Sequence, residues 1–248
     1  MIKLPTEKRE ALRVNPRNLL LFAPSKIGKS TLACKLEGNL ILDFEKGTEF
    51  LDAMSIHIDS ITKLEEVCNA IKAAEKPYKY ITVDTITALE EKCEWTATLN
   101  YMETESGAKF NRVKGKISKS SGDNYLPFEQ WKSVLTLPWG SGYYYLRQEV
   151  KHWVKEIGSL TDHLIILGHV KDSFIDADGS DVVVKQLDLT GKLKNIIAQD
   201  MDAMGYMFRD QKGNLKISFV SGDAEAGSRC PHLINKIIDA EWEQIFIN

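Results

Sequence analysis

Asn18-Leu19-Leu20-Leu21-Phe22-Ala23-Pro24-Ser25-Lys26-Ile27-Gly28-Lys29-Ser30-Thr31-Leu32-Ala33-Cys34-Lys35-Leu36 is the stretch on which the fold turns. Leu19 to Phe22 is a short unbroken apolar run, the pattern of a parallel strand covered on both faces. Ala23 to Ser30 then follows the phosphate-loop pattern G-x-x-x-x-G-K-[S/T], with Ala23 in place of the first Gly. Ala is tolerated there only at negative φ. In such a loop successive backbone N–H groups point inward, and the following helix adds its positive end. Ala23, Pro24, Ser25, Lys26, Ile27, Gly28, Lys29, Ser30 and Thr31 are therefore the expected nucleotide-binding residues. Lys29 would reach the β- and γ-phosphates, and the Ser30 hydroxyl would ligate Mg²⁺. Gly-Lys-Ser alone is a weak signal. Here it occurs once, directly after a buried-strand pattern and directly before a helix pattern, where the mechanism needs it. The alternative is an ordinary strand–loop–helix connection with no ligand.

Further strands follow on the C-terminal side. Leu40-Ile41-Leu42-Asp43-Phe44-Glu45 is an apolar run ending in carboxylates and closed by Lys46-Gly47. Strand carboxyl ends face the ligand crevice of an open parallel sheet, which places Asp43 or Glu45 near the nucleotide. Tyr80-Ile81-Thr82-Val83-Asp84-Thr85 is a hydrophobic strand ending in Asp, the Walker B pattern, about 55 residues after Lys29. Asp84 at that point serves Mg²⁺ or its water shell; the plainer reading is a cap for the next helix. His163 to His169 is another buried strand, and His169 would stand at the same sheet edge as Asp84, within reach of the γ-phosphate or its attacking water. A structural histidine is the alternative.

Between these strands the chain reads as helices at 31–37, 62–75, 86–102 and about 143–158. Leu64, Val67, Cys68 and Ile71 share one face of the second. Ser173 to Leu189 reads as a hairpin about Asp178-Gly179, 190–202 as a short helix, 203–208 with 215–220 as a second hairpin, and 221–232 as a polar loop carrying Arg229. The order of elements gives an α/β fold: a mostly parallel sheet with helices on both faces and an antiparallel hairpin extension near the C-terminus. Residues 1–16 read as a lead-in segment and 17–248 as one domain.

Residues 103–124 differ in kind. They are rich in Gly, Ser and Lys, without periodicity, and contain Lys109, Arg112, Lys114, Lys116 and Lys119. Such a segment is a solvated mobile loop or one that contacts the phosphates of single-stranded nucleic acid. Trp131, Leu135, Leu137, Trp139, Tyr143, Tyr144 and Tyr145 are read as packing residues, with base stacking the alternative.

Composition narrows the class. The chain has 248 residues and a net charge of −3, so a nucleic-acid role must rest on a local patch. Cys34, Cys68, Cys93 and Cys230 form no C-x-x-C pair and are expected to be reduced thiols of a cytoplasmic protein. No apolar run approaches membrane-spanning length, so no membrane partner is expected.

Ala23 to Thr31, Leu42-Asp43-Phe44-Glu45-Lys46-Gly47, Ile81-Thr82-Val83-Asp84-Thr85, Ile165-Ile166-Leu167-Gly168-His169-Val170-Lys171 and Gly227-Ser228-Arg229 together resemble small RecA-like P-loop ATPases encoded by phages. The resemblance covers residues 17 to 235. It implies a RecA-like core that binds and hydrolyses ATP with Mg²⁺ in the cytoplasm of a bacterial host. Many members are associated with single-strand annealing and recombination, so single-stranded DNA is the implied partner. A ring or filament of identical subunits is the implied assembly. Glu45, just after the second strand, is implied as the general base or water-orienting residue; AAA+ enzymes carry their Glu after the Walker B Asp instead, and here Asp84 is followed by Thr85, in agreement with the resemblance. A basic residue supplied by a neighbouring subunit is also implied, with Arg229, Lys192 and Lys194 as candidates. The stretch 109–119 holds the place of the first DNA-binding loop of recombinases, and the hairpin after His169 the place of the second. Asp172, Asp176, Asp178 and Asp181 make that hairpin acidic, contrary to DNA contact. A replicative helicase or helicase-loader motor, and a nucleotide-gated assembly protein with little turnover, are the rival functions.

Overall fold

The strand that leads into the phosphate loop is β1, Asn18–Ala23, and Leu19 to Ala23 are fully buried. Burying a Leu or Phe side chain completely contributes about 1.5–3 kcal/mol, so this run belongs at the sheet's centre. The computed structural model describes Leu4 and residues 6–75, 77–110, 132–177 and 180–247, with 174–177 and 180–182 described as backbone only. β1 lies parallel between β5, His163–Ala177, and β7, Ala203–Arg209. Beyond β5 come β4 (Tyr80–Asp84), β2 (Asn39–Asp43) and β3 (Ser55–His57), all parallel. On the other side β8 (Leu215–Ser218) and β10 (Ile237–Asp239) continue the sheet antiparallel from β7. The expected fold class is the one found. β5 stands between the phosphate-loop strand and the Asp84 strand, so the two motifs are next-nearest neighbours in the sheet.

Alternation along each strand divides the core. Leu20, Phe22, Leu42, Val83 and Ile166 face α2 (Ile61–Ala73), α3 (Ile86–Met102), α4 (Gly142–Ser159) and α5 (Leu193–Gln199). Leu19, Leu21, Ile41, Ile165 and Leu167 face α1 (Lys29–Cys34) and α6 (Trp242–Ile245). The expected face of α2 is the buried one, and Ser60 caps that helix by accepting from Lys63 N–H at 3.2 Å.

Three expectations need correction. The first helix runs 29–34, not 31–37. Its last turn tightens, Leu32 O and Ala33 O accepting from the N–H groups of Lys35 and Leu36, and side chains share the same carbonyls, Trp242 Nε1 at 2.8 Å on Leu32 O and Asn39 Nδ2 at 2.9 Å on Ala33 O. The hairpin expected at 173–189 is longer. β5 runs unbroken out of the parallel core, and Val170 to Ala177 pair with β6, Ser180–Leu187. The second hairpin forms as expected, β7 with β8, and extends the main sheet through the parallel pairing of β7 with β1. The loop read over 221–232 includes β9, Gly227–Ser228, which pairs with the start of β7. β3 and β10 are additions of three residues each, too short for a sequence period to show.

Of the aromatic stretch, Leu135, Leu137 and Tyr145 pack against the core as expected. Trp139 does not: it is fully exposed, in a single 3-10 turn at φ 60. Trp131, Arg112, Lys114, Lys116 and Lys119 lie outside the described residues; Lys109 is exposed. All four cysteines are free thiols. Among the described residues no helix is long and apolar enough to cross a membrane.

Candidate nucleotide site

Strand register assembles the site. Ala23 lies opposite His169, Leu167 opposite Asp84, and Asp84 opposite Asp43, so the carboxyl ends of β1, β5, β4 and β2 share one edge. The phosphate loop turns over this edge with Lys26 at φ 63 and Gly28 at φ 121. Only glycine takes the second value without strain. Lys29 Nζ donates to the carbonyls of Ala23 at 3.3 Å and Pro24 at 3.1 Å, and is buried. Burial lowers its pKa; Asp84 and Glu45 pull the other way.

Ser30 Oγ donates to Asp84 Oδ2 at 2.5 Å. Burial pushes Asp84 up to about 6, opposed by the Ser30 hydrogen bond and reinforced by the charges of Asp43 and Glu45. Gly47 lies against this pair: a Cβ there would sit 3.1 Å from Ser30 Oγ and 3.8 Å from Asp84 Oδ2. Among the described residues no three His, Cys, Asp or Glu side chains gather as a metal site. Magnesium on a nucleotide needs only one or two protein ligands, since waters and phosphate oxygens complete its shell. The Ser30 hydroxyl and Asp84 carboxylate fit that requirement, and the small Gly47 leaves room beside them.

Asp43 and Glu45, undecided from the strand pattern, have separate duties. Asp43 is buried and accepts four hydrogen bonds, from the N–H groups of Glu45, Gly47 and Thr48 and from the Thr48 hydroxyl. Burial pushes its pKa up, but these donors together hold it below the ordinary carboxylate range. It therefore shapes the loop that presents Glu45. Glu45 Oε1 accepts from Thr85 Oγ1 at 2.7 Å and from His169 Nε2 at 2.9 Å. The His169 hydrogen bond lowers the Glu45 pKa, with burial opposing and Thr85 assisting. His169 Nδ1 lies 3.2 Å from Ser25 Oγ, so a chain of contacts runs from the phosphate loop through His169 to Glu45. With a carboxylate on Nε2, that nitrogen carries a proton, and Nδ1 faces the Ser25 hydroxyl.

Sequence reading missed Thr85. Its hydroxyl caps α3 by accepting from Ala88 N–H at 3.3 Å while donating to Glu45. The Thr after Asp84, three residues before Ala88, was the available signal. Neither Arg229 nor Lys194 meets the site of its own chain. Arg229 follows β9, which pairs with Ala203 opposite Leu19, at the far edge of the sheet. Lys194 is bound to Gln186 and to Glu225, and Lys192 is exposed.

A family model described as an AAA domain matches residues 15–228, most of the chain. The chain belongs to this AAA domain family. It is thus an AAA-type P-loop ATPase domain. Among solved structures the AAA domain is similar to a KaiC-like protein from the hyperthermophilic archaeon Pyrococcus horikoshii OT3. Identity is 11%, the TM-score 0.39, and the match covers 82% of this chain and 77% of that one. No curated protein matches the chain.

Proposed function

We propose that the chain binds and hydrolyses ATP with Mg²⁺, and that it does so on single-stranded DNA in phage recombination or replication, as a ring or filament. The observation that carries the hydrolytic part is the Glu45 carboxylate. It is ionised, fixed by two donors, and set at the sheet edge that carries the phosphate loop. Both donors meet Oε1, so Oε2 is the oxygen that can accept from a water. That water attacks the γ-phosphorus, a P–O bond forms as the bond to the β-phosphate oxygen breaks, and Glu45 takes the proton. Lys29 and the loop N–H groups hold the phosphates and offset the charge on the leaving oxygen. Ser30 and Asp84 would hold magnesium, which when bound neutralises charge across the β- and γ-phosphates. His169 keeps Glu45 charged and oriented and, through Ser25, ties that orientation to the phosphate loop.

The DNA part is supported by the basic run Lys109, Arg112, Lys114, Lys116 and Lys119 in a chain of net charge −3. Arg229, Lys192 and Lys194 remain the residues proposed to serve a neighbour's site. The test is ATP turnover by the parent, Lys29→Ala and Glu45→Gln proteins, each with and without single-stranded DNA. The expected result is turnover that DNA stimulates, binding and turnover both lost in Lys29→Ala, and binding kept with turnover lost in Glu45→Gln. Parent-level turnover by Glu45→Gln would refute the assignment of the base.

A further inference from the structure

Arg209 ends β7, on the strand beside the phosphate-loop strand and on the side away from Asp84 and Glu45. Its Nη2 donates to the carbonyl of Ile27 at 3.2 Å, and its Nη1 to the carbonyl of Gly213 at 2.7 Å. Gly213 belongs to a tightly bonded turn. Asp210 Oδ1 accepts from the N–H groups of Lys212 at 2.9 Å and Asn214 at 2.8 Å, and Gly213 N–H returns to Asp210 O at 2.9 Å. One guanidinium thus joins this turn to the phosphate loop. Leu215, on the same hairpin, packs against the same core cluster as Ile27 and lies 3.6 Å from where a Gly28 Cβ would be.

The peptide between Ile27 and Gly28 is planar and trans, so its C=O and N–H point in opposite directions. Arg209 draws the Ile27 carbonyl toward β7. The Gly28 N–H therefore points away from Arg209, and β5, β4 and β2, which carry the acids, lie on the other side of β1 from β7. We propose that Arg209 is a positioning residue of the nucleotide site, which aims the Gly28 N–H at the nucleotide's phosphates by anchoring the carbonyl behind it. This rests on the nucleotide-binding reading of the loop. The Gly28 N–H is one of the loop donors that cradle the phosphates before the γ-phosphate, which ATP and ADP share, so both should feel the loss.

The experiment is a titration of the parent, Arg209→Ala, Arg209→Lys and Lys212→Ala proteins with fluorescent ATP and ADP, beside the thermal midpoint without nucleotide and steady-state turnover. Arg209→Ala is expected to weaken ATP and ADP alike by about tenfold, a change of about 1.4 kcal/mol. KM should rise, with kcat held within about twofold because the loss is of uniform binding. The midpoint without nucleotide should be close to the parent's. Lys212→Ala removes the same charge from the same hairpin and should bind as the parent does. Arg209→Lys keeps the charge but cannot span both carbonyls, and should fall between. If Arg209→Ala does not fold, Arg209→Lys decides, and parent-like affinities for it overturn the proposal. Equal affinities of Arg209→Ala and parent overturn it, as does an equal loss in Lys212→Ala. A parent protein that binds neither nucleotide refutes the reading of the site instead.

Discussion

Replacing Asp84 with Asn should make the nucleotide-free protein more stable while removing its activity. Asp84 is 2% exposed, and burial raises its carboxyl from the ordinary 3.8 to about 6. One pKa unit is about 1.4 kcal/mol of preference for one protonation state. Keeping this side chain ionised at pH 7.5 therefore costs the folded state about 3 kcal/mol. Asn keeps the shape and an oxygen that accepts from Ser30, and removes a charge near Asp43 and Glu45. A gain of about 2–3 kcal/mol corresponds to roughly 5–10 °C in thermal midpoint for a chain of this size. The folded pKa lies above the unfolded one, so the folded parent binds a proton between about pH 4 and pH 6 that the unfolded chain does not. Its stability from this group is greatest at low pH and is lost as pH rises through about 6. The advantage of Asp84→Asn should accordingly be full at pH 7.5 and about half as large at pH 5. Thermal unfolding without magnesium or nucleotide, at both values, measures this. A variant less stable than the parent at pH 7.5, or an advantage that does not change with pH, would refute the reasoning. Magnesium-dependent turnover should fall about a hundredfold or more in the same variant.

Three other outcomes are expected. His169→Leu removes the donor that most lowers the Glu45 pKa, so the acid limb of the turnover–pH profile should move to higher pH; an unmoved limb would count against the contact. Thr85→Val removes both the α3 cap and a Glu45 donor, and should cost about 1 kcal/mol of stability together with turnover, both restored by Thr85→Ser in melting and rate measurements. Neutralising Lys114, Lys116 and Lys119 together should flatten the log–log salt dependence of single-stranded DNA affinity by about 2, at roughly 0.7 per lost contact, and an unchanged slope would remove that segment from the interface.

Much of the site was legible because its parts are local. A strand pattern fixes where β1, β2 and β4 end, and the ends carry Lys29, Glu45 and Asp84 without knowledge of the rest. His169 was legible for the same reason, as the polar end of a buried run. What the sequence could not show are bonds between distant segments. Asp43 and Glu45 look equivalent at the end of one apolar run, and only the path of residues 44–48 makes one a loop organiser and the other a carboxylate held by Thr85 and His169. Arg209 is separated from Ile27 by most of the chain, and nothing near it in sequence marks it as touching the phosphate loop. β3 and β10 are held by neighbours, not by their own three residues, and β5 crosses from the core into its hairpin without a break in pattern.

The most direct measurement is a structure of the protein with magnesium and a non-hydrolysable ATP analogue. It should show the phosphates in the loop 23–31, the γ-phosphate between Lys29 and Glu45, and the metal beside Ser30 and Asp84. A triphosphate bound elsewhere, or a γ-phosphate out of reach of any water held by Glu45, would contradict it.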